Sequence, residues 1–154
     1  MFYRLDAARQ RSRYGITIVM ALKKTFQELA DDAKTRIREI SCDDLAHKLE
    51  AEKSTLDQNW VLIDVRENDE FRAGHVPGAR GIGRGVLEYH IADEVPDTDT
   101  EIVLYCRGGN RSALSADSLR IMGYENVASV RGGYREWAQD ESRPTTTEGE
   151  PIQH

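Results

Sequence analysis

The sequence predicts a single α/β domain built on a parallel sheet, and three observations carry the prediction. The chain has 154 residues, the size of one domain, and at that length folding hides roughly 70% of the extended chain's surface. Two uninterrupted apolar runs, Trp60-Val61-Leu62-Ile63 and Ile102-Val103-Leu104-Tyr105, read as strands buried on both faces, as strands of a helix-covered parallel sheet are. The second run leads through a glycine-bearing loop, Cys106-Arg107-Gly108-Gly109-Asn110-Arg111, into a helical stretch from Ser112 to Met122. That order is strand, loop, helix, and ligands of such sheets bind beyond the carboxyl ends of the strands.

Taken in order, the chain opens on residues unlike the rest. Residues 1–19 hold four arginines, Arg4, Arg9, Arg11 and Arg13, and little periodicity. Met20-Ala21-Leu22-Lys23-Lys24 reads like a natural start, so residues 1–19 are expected to be disordered or an upstream-start extension, with a genuine basic arm as the alternative. Residues 20–35 are expected to supply an extra N-terminal amphipathic helix. Phe26, Leu29, Ala30, Ala33 and Ile37 recur at helical spacing, while Glu28, Asp31, Asp32 and Lys34 face away. The expected place for that stripe is the domain's own core, and the alternative is a partner or a homodimer.

Ile37 to Ile40 fits a short first strand, and Ser41-Cys42-Asp43-Asp44 has the pattern of a helix N-cap with acidic residues in the first turn. A small residue just inside a capped helix suits packing, so Cys42 is not expected to serve Cys106 as a resolving thiol. Trp60 to Ile63 delivers Asp64 and Arg66 to the same sheet edge as Cys106. Phe71 to Ala79 is a tight, Gly- and Pro-punctuated connection into another short strand. Ile82 to Glu88 opens a helix, and its Gly83-Arg84-Gly85 lacks the third glycine and the lysine of a phosphate loop. Gly123 is placed to cap the helix after the cysteine loop, Val127 to Val130 fits a final strand, and Gly132-Gly133 turns the chain toward Trp137. Residues 141–154 are rich in Pro, Thr, Glu and Gly without apolar period, and a disordered tail is expected.

Composition excludes several classes. With 27 acidic and 21 basic residues the net charge is −6, which does not suit a nucleic-acid binder. Two cysteines, Cys42 and Cys106, make neither a disulfide framework nor a zinc pattern, so no metal is expected. The apolar run Ile16 to Leu22 is too short to span a bilayer and is followed at once by Lys23 and Lys24, so no membrane partner is expected. A nucleophilic thiol is more useful in a reducing compartment, which favours the cytoplasm.

The chemistry converges on Cys106. Gly108 and Gly109 let the backbone turn with its amides inward, the following helix adds the positive end of its dipole, and Arg107 and Arg111 add guanidiniums. One sulfur is thereby surrounded by positive potential, the setting in which a cysteine acts as a nucleophile.

This loop, with Asp64-Val65-Arg66-Glu67 and Gly74-His75-Val76-Pro77-Gly78-Ala79 upstream and Gly132-Gly133-Tyr134-Arg135-Glu136-Trp137 downstream, resembles the rhodanese family of sulfurtransferases. The resemblance covers residues 36–140. It implies a rhodanese-like central parallel five-stranded sheet flanked by helices, and a persulfide on Cys106. It also implies that Asp64, with Arg66, braces the loop and that His75 is a structural member of its turn, not a general base. The expected reaction takes a sulfane sulfur from a small anionic donor such as thiosulfate and passes it to a thiophilic acceptor, cyanide in vitro or a cellular thiol. No cofactor is implied. Two rivals stand beside it. Phosphatases and arsenate reductases of this fold place five residues between Cys and Arg, where this loop has four, and a sulfur-responsive binding module would use the fold as a scaffold.

Overall fold

A computed structural model describes residues 8–11, 17–53 and 59–153. Of the extension expected over residues 1–19, residues 1–7 and 12–16 lie outside the described residues. Strand β1 (Ala8–Arg11) pairs antiparallel with β2 (Thr17–Met20). Helix α1 (Phe26–Lys34) follows, started by a capping box in which the Thr25 hydroxyl accepts from Glu28 N and the Glu28 carboxylate accepts from Thr25 N. Next come β3 (Arg38–Ile40), α2 (Cys42–Glu52), β4 (Trp60–Asp64), α3 (Asn68–Ala73) and β5 (Arg80–Gly81). A 3-10 turn (Arg84–Val86) opens α4 (Leu87–Glu94), and β6 (Glu101–Tyr105), α5 (Asn110–Met122), β7 (Val127–Val130) and α6 (Gly133–Gln139) complete the chain.

Five strands form one parallel sheet in the order β3-β7-β6-β4-β5. The apolar runs take the central places because both of their faces are covered. Along β6, Ile102 and Leu104 point with Cys106 into a core shared with α4 and α5, including Leu87, Ile91, Ala116 and Leu119. Val103 and Tyr105 point the opposite way, into a core with Cys42 and Leu45 of α2 and Trp137 of α6. The period of two thus fixes which side the cysteine faces.

The strand order also places the site. From β4 the chain moves outward to β5, whereas from β6 it moves the other way to β7. The crevice between the carboxyl ends of β4 and β6 is therefore a topological switch point, and Asp64 and Cys106 stand on its two sides.

Two expectations need correction. The amphipathic helix does lie on its own domain, against α5, but it buries Ala30 and Ala33 and leaves Phe26 and Leu29 about half exposed. Small residues allow the close approach, so the larger ones flank the contact. The tail expected to be disordered is ordered from 141 to 153. Thr146 and His75 exchange backbone hydrogen bonds of 2.9 Å each, Ile152 N donates to Gly81 O at 2.8 Å, and Pro144 O accepts from the Trp137 indole at 2.9 Å. Pro151 is buried and Ile152 packs against the core. This segment meets the open edge of β5 through backbone groups, which hydrophobic periodicity does not register.

Candidate active site

The loop after β6 wraps a single sulfur. Cys106 is 1% exposed, and its Sγ receives the Gly109 amide at 3.1 Å and the Ser112 hydroxyl at 3.5 Å. Ser112 is held in turn by a 2.8 Å hydrogen bond with Ser129 of β7. Gly109 has φ of +105° and lies 3.3 Å, at its would-be Cβ, from Val130 O, so a side chain there would meet both a strained backbone and a neighbour. Gly108 has neither restriction, and the tight turn expected of both glycines rests on Gly109. α5 begins at Asn110 and brings its N-terminal amides to the sulfur's side of the loop.

Three braces hold this loop, each from a different element. The N-terminus of α6 grips it from below: Tyr134 N donates to Cys106 O at 2.8 Å and Arg135 N to Arg107 O at 2.9 Å. That approach depends on Gly133, whose φ is +56° and whose added Cβ would fall 2.5 Å from Cys106 O. Glu70 of α3 takes Arg111 in a two-pronged ion pair, 2.8 Å from Nη1 to Oε2 and 3.0 Å from Nη2 to Oε1. The Arg111 hydrogen bonds hold the Glu70 carboxyl down at about 2, and Glu70 in return raises Arg111 above the usual guanidinium range. Asn110 faces α1, accepting from Lys34 Nζ at 2.9 Å and donating to Gln27 at 3.0 Å.

Beneath the loop, Asp64 and Arg66 form a fully buried pair, with Nη2 2.7 Å from Oδ2 and Nε 3.0 Å from Oδ1. Arg66 Nη2 also donates to Gly74 O at 2.7 Å, and its guanidinium lies 4.2 Å over the Tyr134 ring. The pair thus links the end of β4 to the turn after α3 and to α6. Asp64 and Arg66 are where the sequence placed them, at the sheet's carboxyl edge, but they engage each other and not the sulfur.

His75 is likewise engaged by its own segment. It is 2% exposed, stacks on Phe71 with ring centroids 3.6 Å apart, and donates from Nδ1 to Phe71 O at 2.7 Å. Arg107 is exposed at the rim. Cys42 is buried, with its thiol 3.5 Å from Gly133 O, and burial pushes it up to about 11. A thiol so held packs against the Gly132-Gly133 turn.

Sequence reading missed Ser112, Ser129 and the pairing of Glu70 with Arg111. Glu70 carries a helix-cap pattern with Glu67, and it does accept from Glu67 N at 3.0 Å, so its second task is masked by the first. The serines give no motif at all.

Comparison with known proteins places this geometry. The Rhodanese-like domain matches residues 42–140. The chain belongs to the rhodanese-like family. Over 99 residues this rhodanese-like chain is 33% identical to a Schizosaccharomyces pombe protein named "Putative thiosulfate sulfurtransferase, mitochondrial", covering 57% of this chain and 70% of that one. It spans 58% and 59% of the length of two Bacillus subtilis relatives. Among solved structures, the human single-domain sulfurtransferase TSTD1 superposes with a TM-score of 0.57 at 27% identity, covering 67% of this chain and 96% of that one. RPA3614 of Rhodopseudomonas palustris, described as of unknown function and a possible tyrosine phosphatase, superposes with a TM-score of 0.69 at 29% identity, covering 84% and 99%. Among the described residues no helix is long and apolar enough to cross a membrane, and no cluster of three or more His, Cys, Asp or Glu could hold a metal ion.

Proposed function

We propose that this protein is a sulfurtransferase that carries a sulfane sulfur on Cys106. The observation that supports it above the rest is the sulfur's own environment: Gly109 N and Ser112 Oγ both donate to Sγ at the mouth of a helix N-terminus. Donors fixed in that way stabilise an anionic sulfur without reorganising during the reaction.

In the first step the Cys106 thiolate attacks the outer sulfur of a donor such as thiosulfate. The donor's S–S bond breaks and sulfite leaves with the electron pair, so Cys106 becomes a persulfide. In the second step a nucleophile, cyanide in vitro or a thiol in the cytoplasm, attacks the outer sulfur, and Sγ departs as thiolate. Gly109 and Ser112 hold the charge that returns to Sγ, exposed Arg107 draws the anionic donor, and Arg111 keeps the loop closed through Glu70. The scheme needs no cofactor and no general base, which suits a His75 committed to Phe71 O.

A phosphatase reading is weaker on the same geometry. Four residues separate Cys106 from Arg111, and both terminal nitrogens of Arg111 are engaged by Glu70 instead of facing a tetrahedral oxyanion. The test is intact mass after incubation with thiosulfate, beside Cys106→Ser, followed by cyanide. A one-sulfur gain on the wild type alone, discharged as thiocyanate, supports the reading. If no sulfur donor charges Cys106 while an aryl phosphate is hydrolysed, sulfur transfer is the wrong chemistry.

A further inference from the structure

Two buried serines, Ser112 and Ser115, lie about one turn apart on α5 and use their hydroxyls differently. Ser115 Oγ donates back along the helix to Arg111 O at 2.9 Å, the usual resort of a serine inside a helix. Ser112 Oγ points off the helix instead. It donates to Cys106 Sγ at 3.5 Å and stands 2.8 Å from Ser129 Oγ. Ser129 reaches it by the alternation of β7: Val127 faces the core that holds Cys106 and Val130 faces the other one. Ser129, two residues after Val127, therefore shares the cysteine's side of the sheet.

Both hydroxyls are fully buried, and each has one proton to give. Ser129 Oγ has no hydrogen bond but the one with Ser112 among the described residues. When Ser112 gives its proton to the sulfur, the 2.8 Å contact is made with the proton of Ser129. The donors then run one way, from Ser129 to Ser112 to Sγ. In the reverse direction Ser112 gives its proton to Ser129, and the sulfur keeps only the Gly109 amide.

We propose that Ser129 is a positioning residue for sulfur transfer: by donating to Ser112 Oγ it keeps the Ser112 proton aimed at Cys106 Sγ, where charge appears when the persulfide is unloaded. The proposal rests on Cys106 as persulfide carrier and adds a residue from another strand that acts on the second half-reaction. In that step the acceptor forms a bond to the outer sulfur, the Cys106 S–S bond breaks, and its electron pair goes to Sγ. Sγ passes from uncharged to thiolate, and no outside oxidant or reductant takes part. A hydrogen bond to Sγ is therefore stronger in the transition state than in the persulfide, and the proton received from Ser129 polarises the hydroxyl that makes it. Without Ser129 the Ser112 hydroxyl is free to turn to a carbonyl one turn back, as Ser115 does. Loading runs the other way. Sγ starts as thiolate and gives up its charge, so losing the donor makes the thiolate scarcer but more nucleophilic, and the two effects oppose.

The test is turnover of thiosulfate and cyanide by the full chain, in which kcat/KM for thiosulfate reads loading and kcat/KM for cyanide reads unloading. Ser129→Ala removes the hydroxyl. Ser129→Thr and Ser129→Val make a second pair, alike in shape and different in the hydroxyl, so packing strain is common to both. The expected result is that kcat/KM for cyanide falls about tenfold in Ser129→Ala, and about tenfold in Ser129→Val relative to Ser129→Thr, the effect of one hydrogen bond to a charged group. Over the same variants kcat/KM for thiosulfate stays within about threefold. Adding Ser112→Ala to Ser129→Ala brings little further loss, because the two hydroxyls act as one unit. Equal losses in both half-reactions, equal unloading by Ser129→Thr and Ser129→Val, or losses that multiply in the double variant each overturn the role of Ser129 while leaving the carrier intact. A wild type that no sulfur donor charges overturns both.

Discussion

Gly133→Ala is the change that tests how the loop is held. A Cβ at residue 133 would lie 2.5 Å from Cys106 O, 2.6 Å from Arg107 O and 2.7 Å from Arg107 C. All three are backbone atoms and none can swing aside. Relief to ordinary contact near 3.4 Å requires α6 to retreat by about 0.9 Å. That retreat stretches the 2.8 Å bond from Tyr134 N and the 2.9 Å bond from Arg135 N beyond hydrogen-bonding distance. The left-handed backbone costs an alanine roughly 1–2 kcal/mol. Each lost bond adds roughly 0.5–1.5 kcal/mol, so the expected destabilisation is roughly 2–5 kcal/mol. Gly108→Ala is the control: no atom lies within 4 Å of its Cβ, so its stability should stay within about 1 kcal/mol of the wild type. Urea unfolding at unchanged m-value reads both, and the rate of persulfide loading reports whether the Gly133 variant also loosens the sulfur. If Gly133→Ala unfolds within about 1 kcal/mol of the wild type, α6 does not clamp the loop as described.

The other predictions concern the remaining braces. The Glu70 carboxyl is held at about 2 in the folded protein against an ordinary value of 4.5. Its stabilising contribution is therefore complete above 4.5 and lost as pH falls through about 2. Glu70→Gln should flatten the dependence of unfolding free energy on pH in that interval, and an unchanged slope would show that the Arg111 pair contributes nothing. Asp64→Asn leaves the Arg66 guanidinium buried without its counter-charge and should cost roughly 3–5 kcal/mol in urea unfolding; a loss under about 1 kcal/mol would mean that water reaches the pair. Removing residues 141–154 uncovers Gly81, beside which Pro151 is buried, and takes away Ile152, which packs against the core. It should lower stability by roughly 2 kcal/mol, the order of one buried apolar side chain, and limited proteolysis of the intact chain should spare the tail.

How much of this was legible in the sequence follows from where each signal lives. The sheet was legible because Trp60 to Ile63 and Ile102 to Tyr105 are apolar on both faces, and no solvated strand reads that way. The five-strand count and the supporting residues came through the resemblance, since Arg80–Gly81 is a two-residue strand with no pattern of its own. Cys106 was legible because a cysteine, two glycines and two arginines in six residues are a local signal. The partners of that sulfur were harder. Ser112 lies beyond the loop and Ser129 on another strand, and they meet only because α5 packs over β7. The tail was misread for a related reason: Thr146 and Ile152 are secured by main-chain hydrogen bonds to His75 and Gly81, and main-chain groups are the same in every residue. Composition reports which side chains seek burial, whereas an edge strand recruits any backbone that reaches it. The same distinction explains Gly133. Its role is the absence of a side chain opposite Cys106 O and Arg107 O, whereas in the sequence the pair of glycines reads only as a turn toward Trp137.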